Sequence, residues 1–311
     1  MAETTYSWPA KDEAQLIGKR VDRIDGEAKA TGAAKYTYDV NLDNQLLVRA
    51  LSCPHAHCRV KSVDSSQAEK IDGVVHVHLF RPIPEGGLEI RTDGTLIAAV
   101  AAESESAAAE GVAALVVDYE MLDVFVEDDD LDKAESLGRT KPVGGGIDLD
   151  EALGEPGDDE DEEVWEDRMI EQLLDQSAYV VEGEYGISAI THCCLETHGT
   201  TLQWKDGRLL AELSTQNVSR SDDGFAAELG ITADDVDVHC DYIGGGFGSK
   251  FKPDYWSTAA AKISKATGRP VKLMLTREQE LKIGGNRPSG FIKVRLGADE
   301  NGVAEVWDSQ H

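Results

Sequence analysis

Positive charge is what this chain has least of for its size. Its 311 residues carry 30 Lys and Arg against 59 Asp and Glu, a formal net charge of −29. Nucleic acid as a partner is excluded, because cations must neutralise its phosphates. An anionic membrane surface is excluded on the same ground. Long apolar runs are missing too, and none approaches the roughly 20 residues that span a bilayer. Cysteine is sparse: five thiols in so long a chain do not make a disulfide-stapled secreted domain. The N-terminus, Met1-Ala2-Glu3-Thr4-Thr5-Tyr6-Ser7-Trp8, lacks the basic and apolar regions of a signal peptide. These absences predict a soluble, cytoplasmic protein. The acid is spread along the whole chain, which points to a high-salt cytoplasm, where screening removes most self-repulsion and excess carboxylate preserves solubility.

What the chain does have is glycine in one telling place. Gly244-Gly245-Gly246-Phe247-Gly248-Ser249-Lys250-Phe251 lies about thirty residues after Ser214-Thr215-Gln216-Asn217. Glycines let a backbone approach a ligand closely, and successive N–H groups in such a turn form an anion- or oxo-binding nest. A phenylalanine among them is unusual, since large apolar residues are normally buried. Two known glycine loops are excluded. A P-loop requires Gly-Lys-Ser/Thr, but Ser249 separates Gly248 from Lys250. A Rossmann fingerprint requires its last glycine one residue beyond Gly248.

Local patterns predict an α+β chain. Leu46–Ser52, Arg59–Val63, Val74–Leu79, Leu96–Ala101 and Leu115–Tyr119 read as strands. Asp64-Ser65-Ser66 offers a cap for a short helix, and Ser104–Ala114 is helix-prone despite Gly111. Acidic blocks at Glu127–Asp132 and Asp158–Glu163 flank Gly144-Gly145-Gly146 and read as a solvated, flexible linker. Beyond it, a helix is expected over Trp165–Leu174 and a strand over Val180–Tyr185. A hairpin is expected about Lys205-Asp206-Gly207-Arg208. Ser221 and Asp222 offer caps for a helix through Leu229, and Val236–Cys240 reads as a strand feeding the glycine loop. A helix over Asp254–Thr267 should end at Gly268, and strands follow at Val271–Leu275, Phe291–Leu296 and Val303–Trp307.

Several ordered motifs resemble the molybdopterin-binding large subunit of the xanthine dehydrogenase/aldehyde oxidase family. They are Val21-Asp22-Arg23-Ile24-Asp25-Gly26 with Ala28 to Tyr36; Arg49-Ala50-Leu51-Ser52 running into Pro54-His55-Ala56-His57; and Ile97 to Glu103 leading to Val116-Val117-Asp118-Tyr119-Glu120. Leu195-Glu196-Thr197-His198-Gly199, Ser214-Thr215-Gln216 and Gly244 to Phe251 complete the set. The resemblance covers roughly residues 18–308, least well over 127–165. It implies an α/β hammerhead domain at 18–126, an acidic flexible linker at 127–165, and the N-terminal part of a molybdenum cofactor-binding domain at 166–311. The family's subunits are more than twice this length, so the chain is expected to be an N-terminal portion. The family's general-base glutamate is expected beyond the C-terminus, and no catalytic residue is assigned within the chain.

The resemblance also implies a molybdenum–molybdopterin cofactor, as molybdopterin or its cytosine dinucleotide, held in part by Gln216, Gly245, Gly246, Phe247, Gly248 and Arg287. The Gln216 amide would donate to an oxo ligand, and Phe247 would shield one side of the centre. Arg287, in Gly284-Gly285-Asn286-Arg287-Pro288, equally suits a structural ion pair. Xanthine-type enzymes carry a glutamate at the position of Phe251, so an aldehyde or another N-heterocycle is favoured over a purine. Iron–sulfur clusters and FAD are implied on partner subunits, since no cluster-binding cysteine pattern is present here. The remaining large-subunit segment is implied as a further partner. The alternative is a non-catalytic scaffold or a truncated remnant of such a subunit.

Two clusters carry potential metal ligands. Cys53-Pro54-His55-Ala56-His57-Cys58 packs four into six residues, whereas structural zinc sites draw ligands from separated elements, so packing or turn roles are expected. In His192-Cys193-Cys194-Leu195-Glu196-Thr197-His198, Glu196 and His198 match the family's Glu-Pro-His motif with Thr197 replacing proline. The cysteines there are expected to be small buried residues.

Overall fold

The structure, a computed structural model, describes residues 8–127, 130–141 and 162–311. The Gly144-Gly145-Gly146 run and Asp158 to Asp161 lie outside the described residues.

A mixed seven-stranded sheet organises the chain. In spatial order its strands are Val236–His239, Arg208–Leu213, Gly199–Lys205, Val271–Met274, Leu46–Ser52, Leu96–Ala102 and Val74–Leu79. Leu46 pairs in parallel with Val271, so strands from before and after the acidic stretch form one sheet. Leu96–Ala102 is buried along its whole length, as expected of an apolar run lying between two strands. Its flank is covered by the helix Glu105–Ala113, whose Ser104 accepts the N–H of Ala107 as N-cap. The helix Tyr255–Thr267 buries Trp256, Ala260 and Ile263 in the main core beside Leu202 and Val271. Gly268 ends it in the left-handed region.

Among the described residues there are three smaller sheets. Leu88–Ile90, Cys58–Asp64 and Val116–Met121 form one. Ala304–Gln310, Gly290–Ala298 and Tyr179–Ile187 form another. Asn286–Arg287 pairs with Ile190–Thr191.

Some expectations need correction. The stretch expected to be a flexible linker contains the helix Leu131–Ser136, capped by Asp130, with Lys133 over the Phe125 ring; the local cap and the cation–π contact offset the charge run. The helix expected at Trp165 already starts at Glu162, within that stretch. After Asp64 only a 3₁₀ turn forms, Ala68–Lys70. Ser221 and Asp222 do not cap the helix Ser221–Leu229: Arg220 is its N-cap residue, and the Ser221 hydroxyl donates back to Asn217 O.

Candidate functional site

The glycine loop is held from behind by two neighbouring segments. Strand Arg208–Leu213 ends at Ser214 and Thr215, which turn the chain beneath the loop; both are buried. Gln216 N–H donates to Lys250 O at 2.8 Å, fixing the register of the two motifs. Gln216 Oε1 accepts the N–H groups of Gly248 at 2.9 Å and Lys250 at 3.4 Å. Two backbone donors on one atom identify it as the amide oxygen. The amide Nε2 is thereby left without a partner among the described residues.

Gly246 packs directly against the Gln216 side chain, which would have to shift to admit a Cβ. A Cβ there would lie 2.4 Å from Gln216 Cδ. Phe247 adopts φ +52°, a left-handed conformation uncommon for a bulky residue. It is not buried by this chain but is 65% exposed, with Leu195 and Phe251 also exposed. Among the described residues, the N–H groups of Gly245, Gly246 and Phe247 donate to nothing. A strained aromatic beside three free N–H groups and a free amide donor fits a polar, oxygen-bearing ligand with a flat body.

Glu196 anchors the other end of the loop. Its carboxylate accepts Ser214 Oγ–H at 3.0 Å and the N–H of Gly244 at 2.9 Å, with Tyr38 N–H at 3.4 Å. Lys250, 1% exposed, donates through Nζ to Glu196 O at 2.8 Å and Ser214 Oγ at 2.7 Å. Burial holds the Lys250 ammonium below its ordinary pKa, against the attraction of Glu196.

Behind this layer, the His198 backbone N–H donates to Glu280 Oε2 at 2.7 Å, and His198 Nδ1 meets the same oxygen at 2.9 Å. Burial raises the Glu280 pKa, but the His198 bonds outweigh it and hold the carboxyl below its usual range. Asp254 lies nearby; burial pushes its carboxyl up to about 6. Arg277 donates to Cys194 O at 2.6 Å and Leu195 O at 2.7 Å, pinning the backbone just before Glu196.

Arg287 is brought to the same region through its segment. A Cβ on Gly285 would lie 2.8 Å from Ser249 Cβ and 3.3 Å from His192 Nδ1, so this turn packs against the loop. Arg287 is exposed and has no ion pair among the described residues. The His192 Nδ1 beside it is buried without a partner among the described residues. A groove of about 880 Å³ opens on the Glu196–Thr197 side of the loop and is not lined by Gln216, Gly245 to Gly248 or Arg287.

In the Cys53–Cys58 stretch the side chains are engaged locally. Both thiols are buried in an apolar cluster 3.4 Å apart, and burial pushes the Cys58 thiol up to about 12. His57 contacts Asp123 O and Glu89 Oε1, and His55 packs edge-on against Tyr119. Of the second cysteine pair only Cys194 is buried; Cys193 is exposed at φ +53°. The anchors Glu196, Lys250, Glu280 and Arg277 were not assigned from sequence. One signal was present for Glu280: Thr276-x-x-Gln279 is a capping box that starts the helix Arg277–Ile283.

The chain matches two family models, "Molybdopterin cofactor-binding domain" over residues 157–310 and "Aldehyde oxidase and xanthine dehydrogenase, a/b hammerhead domain" over residues 31–123. It is 26% identical to xanthine dehydrogenase/oxidase of Mus musculus over 97% of this chain and 22% of that protein. It is likewise 26% identical to aldehyde oxidase 2 of Rattus norvegicus, over 94% of this chain and 21% of that protein. The fold resembles reconstituted CO dehydrogenase from Oligotropha carboxidovorans, with TM-score 0.76 and 21% identity, covering 94% of this chain and 39% of that one. The chain thus spans about a fifth of the length of these curated relatives. Among the described residues, no helix is long and apolar enough to cross a membrane. With a hammerhead domain and a molybdopterin-binding domain in family order on one shared sheet, the chain belongs to the xanthine dehydrogenase/aldehyde oxidase family and corresponds to part of its molybdopterin-binding large-subunit region.

Proposed function

We propose that this chain forms one wall of the molybdenum-cofactor site of a molybdenum hydroxylase acting on an aldehyde or a non-purine N-heterocycle. The observation that carries this is the free Gln216 amide donor set beside the three free N–H groups of Gly245 to Phe247. When bound, a molybdenum–pterin cofactor supplies a two-electron oxidation in which water provides the oxygen added to substrate carbon.

The chain's own part is to bind and orient. Donors aimed at developing oxygen charge stabilise it without themselves needing to ionise. Oε1 of Gln216 is spent on Gly248, so the side chain cannot rotate its donor away without releasing the loop. Phe247 would exclude water from one side, and Arg287 would bring positive charge to one flank. The Glu196 carboxylate accepts three donors and serves to hold the loop. The general base, and the iron–sulfur and flavin groups that carry electrons away, would lie outside these 311 residues. The exposed Phe251 offers a purine no hydrogen-bond acceptor through its side chain.

Elemental and pterin analysis of the protein purified from its own cells at high salt, with copurifying chains identified, tests the proposal. Near-stoichiometric molybdenum, with oxidation of aldehydes in preference to purines, is expected. Absence of molybdenum and pterin would leave a scaffold and overturn the enzymatic assignment.

A further inference from the structure

Two thiols outside the candidate site lie against each other. Cys53 follows the strand Leu46–Ser52 of the seven-stranded sheet, and Cys58 opens the strand Cys58–Asp64 of a smaller one. Their sulfurs are 3.4 Å apart, and both side chains are wholly buried in a cluster with Val60, Ile90 and Ile97. No other two thiols are in contact among the described residues.

The backbone holds the pair in place from both ends. Cys53 N–H donates to Thr95 O at 2.8 Å, and Cys53 O accepts the N–H of Gly94 at 2.9 Å. Cys58 is paired on both flanks, with Ile90 and with Met121. The turn between them is tied down as well. His57 reaches Asp123 O and Glu89 Oε1, His55 packs edge-on against Tyr119, and Cys53 Sγ meets His55 O at 3.5 Å. Two reacting atoms held this way need no search for one another. Burial pushes the Cys58 thiol up to about 12, so at neutral pH it keeps its proton and rests unoxidised.

We propose that Cys53 and Cys58 form a reversible oxidation site, at which a hydroperoxide converts the buried pair to an intramolecular disulfide. One sulfur, as its thiolate, attacks a peroxide oxygen; the O–O bond breaks, hydroxide leaves, and a sulfenic acid forms. The second sulfur attacks the sulfenic sulfur, the S–S bond forms, and water leaves with the last proton. In all, the two thiols give up two electrons and two protons, and hydrogen peroxide becomes two waters. Because the second sulfur is already in contact, the sulfenic acid is consumed before further oxygen can be added. The pair thereby keeps oxidation of this core at a stage that a dithiol reverses. The site is independent of the molybdenum chemistry proposed above.

The test exposes the folded chain to hydrogen peroxide at fixed high salt, alkylates the remaining thiols in denaturant, and digests with trypsin. Cleavage after Arg49 and Arg59 places both cysteines in one peptide, Ala50 to Arg59, whose mass reads the outcome. That peptide should lose two hydrogens and take no alkyl group, and dithiothreitol added before alkylation should restore both sites. Circular dichroism should show the fold kept throughout. Cys53→Ala and Cys58→Ala each leave a thiol without its partner. In those variants a sulfenic acid should be trapped by dimedone, and prolonged exposure should give sulfinic acid that dithiothreitol does not reverse. The parent result stands alone if either variant fails to fold. A parent peptide still fully alkylated once the exposed Cys193 has been oxidised would overturn the proposal. So would a disulfide from Cys53 or Cys58 to any other cysteine, sulfinic acid at either position in the parent, or a disulfide that forms only as the fold is lost.

Discussion

Gln216 and Gly248 are joined by a 2.9 Å hydrogen bond in which the side-chain oxygen accepts and the loop backbone donates. The bond separates two roles within one side chain, because the oxygen holds the loop and the nitrogen stays free. Gln216→Glu keeps an acceptor and removes the donor; Gln216→Ala removes both. The first should fold with stability within about 0.5 kcal/mol of the parent yet lose cofactor affinity, and the second should also loosen the loop, at about 1 kcal/mol. Denaturation at fixed high salt and pterin retention on the purified complex check both. Equal pterin retention in the parent and Gln216→Glu would contradict the donor role.

Glu196 joins the Tyr38 segment, the end of the strand Arg208–Leu213 and the glycine loop. Truncation leaves three donors without their acceptor in a buried place. Glu196→Ala should therefore cost about 2–4 kcal/mol, and Glu196→Gln, which keeps one acceptor oxygen, about 1 kcal/mol. Amide exchange at Gly244 should rise more than exchange in the strand Leu96–Ala102. Uniform acceleration through both regions would show that Glu196 is not a local anchor.

Asp254 gives a pH signature. Its folded-state pKa is raised from 3.8 to about 6 by burial, so below about 4 it is protonated whether the chain is folded or not. Between about 4 and 6 the unfolded chain releases the proton first, and the folded state loses stability as pH rises. Asp254→Asn removes this dependence. Its stability relative to the parent should grow by about 1–2 kcal/mol from pH 4 to pH 6.5 and then level off. Urea unfolding of both proteins across that range tests it; a pH-independent difference would contradict it.

Salt should act on the whole chain. With a net charge of −29, self-repulsion opposes the compact state and screening relieves it. The melting temperature should climb by about 10 °C or more from 0.1 M to 2 M KCl, with secondary structure lost in dilute buffer. Full stability without salt would sink the proposal of a high-salt origin.

Legibility from sequence followed the range of the interactions. The hairpin at Asp206-Gly207 was readable because both residues take positive φ, at +52° and +83°, as a tight turn demands. Strand Leu46–Ser52 and helix Tyr255–Thr267, with its Gly268 stop, were readable from local pattern. The parallel pairing of Leu46 with Val271 was not, because no local signal specifies a partner more than 200 residues away. The site divides in the same way. The proximity of Gln216 to the glycine loop came from motif resemblance. The Glu280 partnership with His198 depends on two distant buried side chains meeting, and no spacing rule encodes that.

The glycine loop and Gln216 are proposed to wall the cofactor together. Gly246→Val tests it most directly, since even a Cβ would stand 2.4 Å from Gln216 Cδ and push the two apart. Molybdenum per chain is measured by elemental analysis in parent and variant complexes purified alike, with folding checked by circular dichroism. About one molybdenum is expected per parent chain and less than about a tenth of that in the folded variant, because the backbone can no longer approach its ligand. Equal molybdenum in both would contradict it.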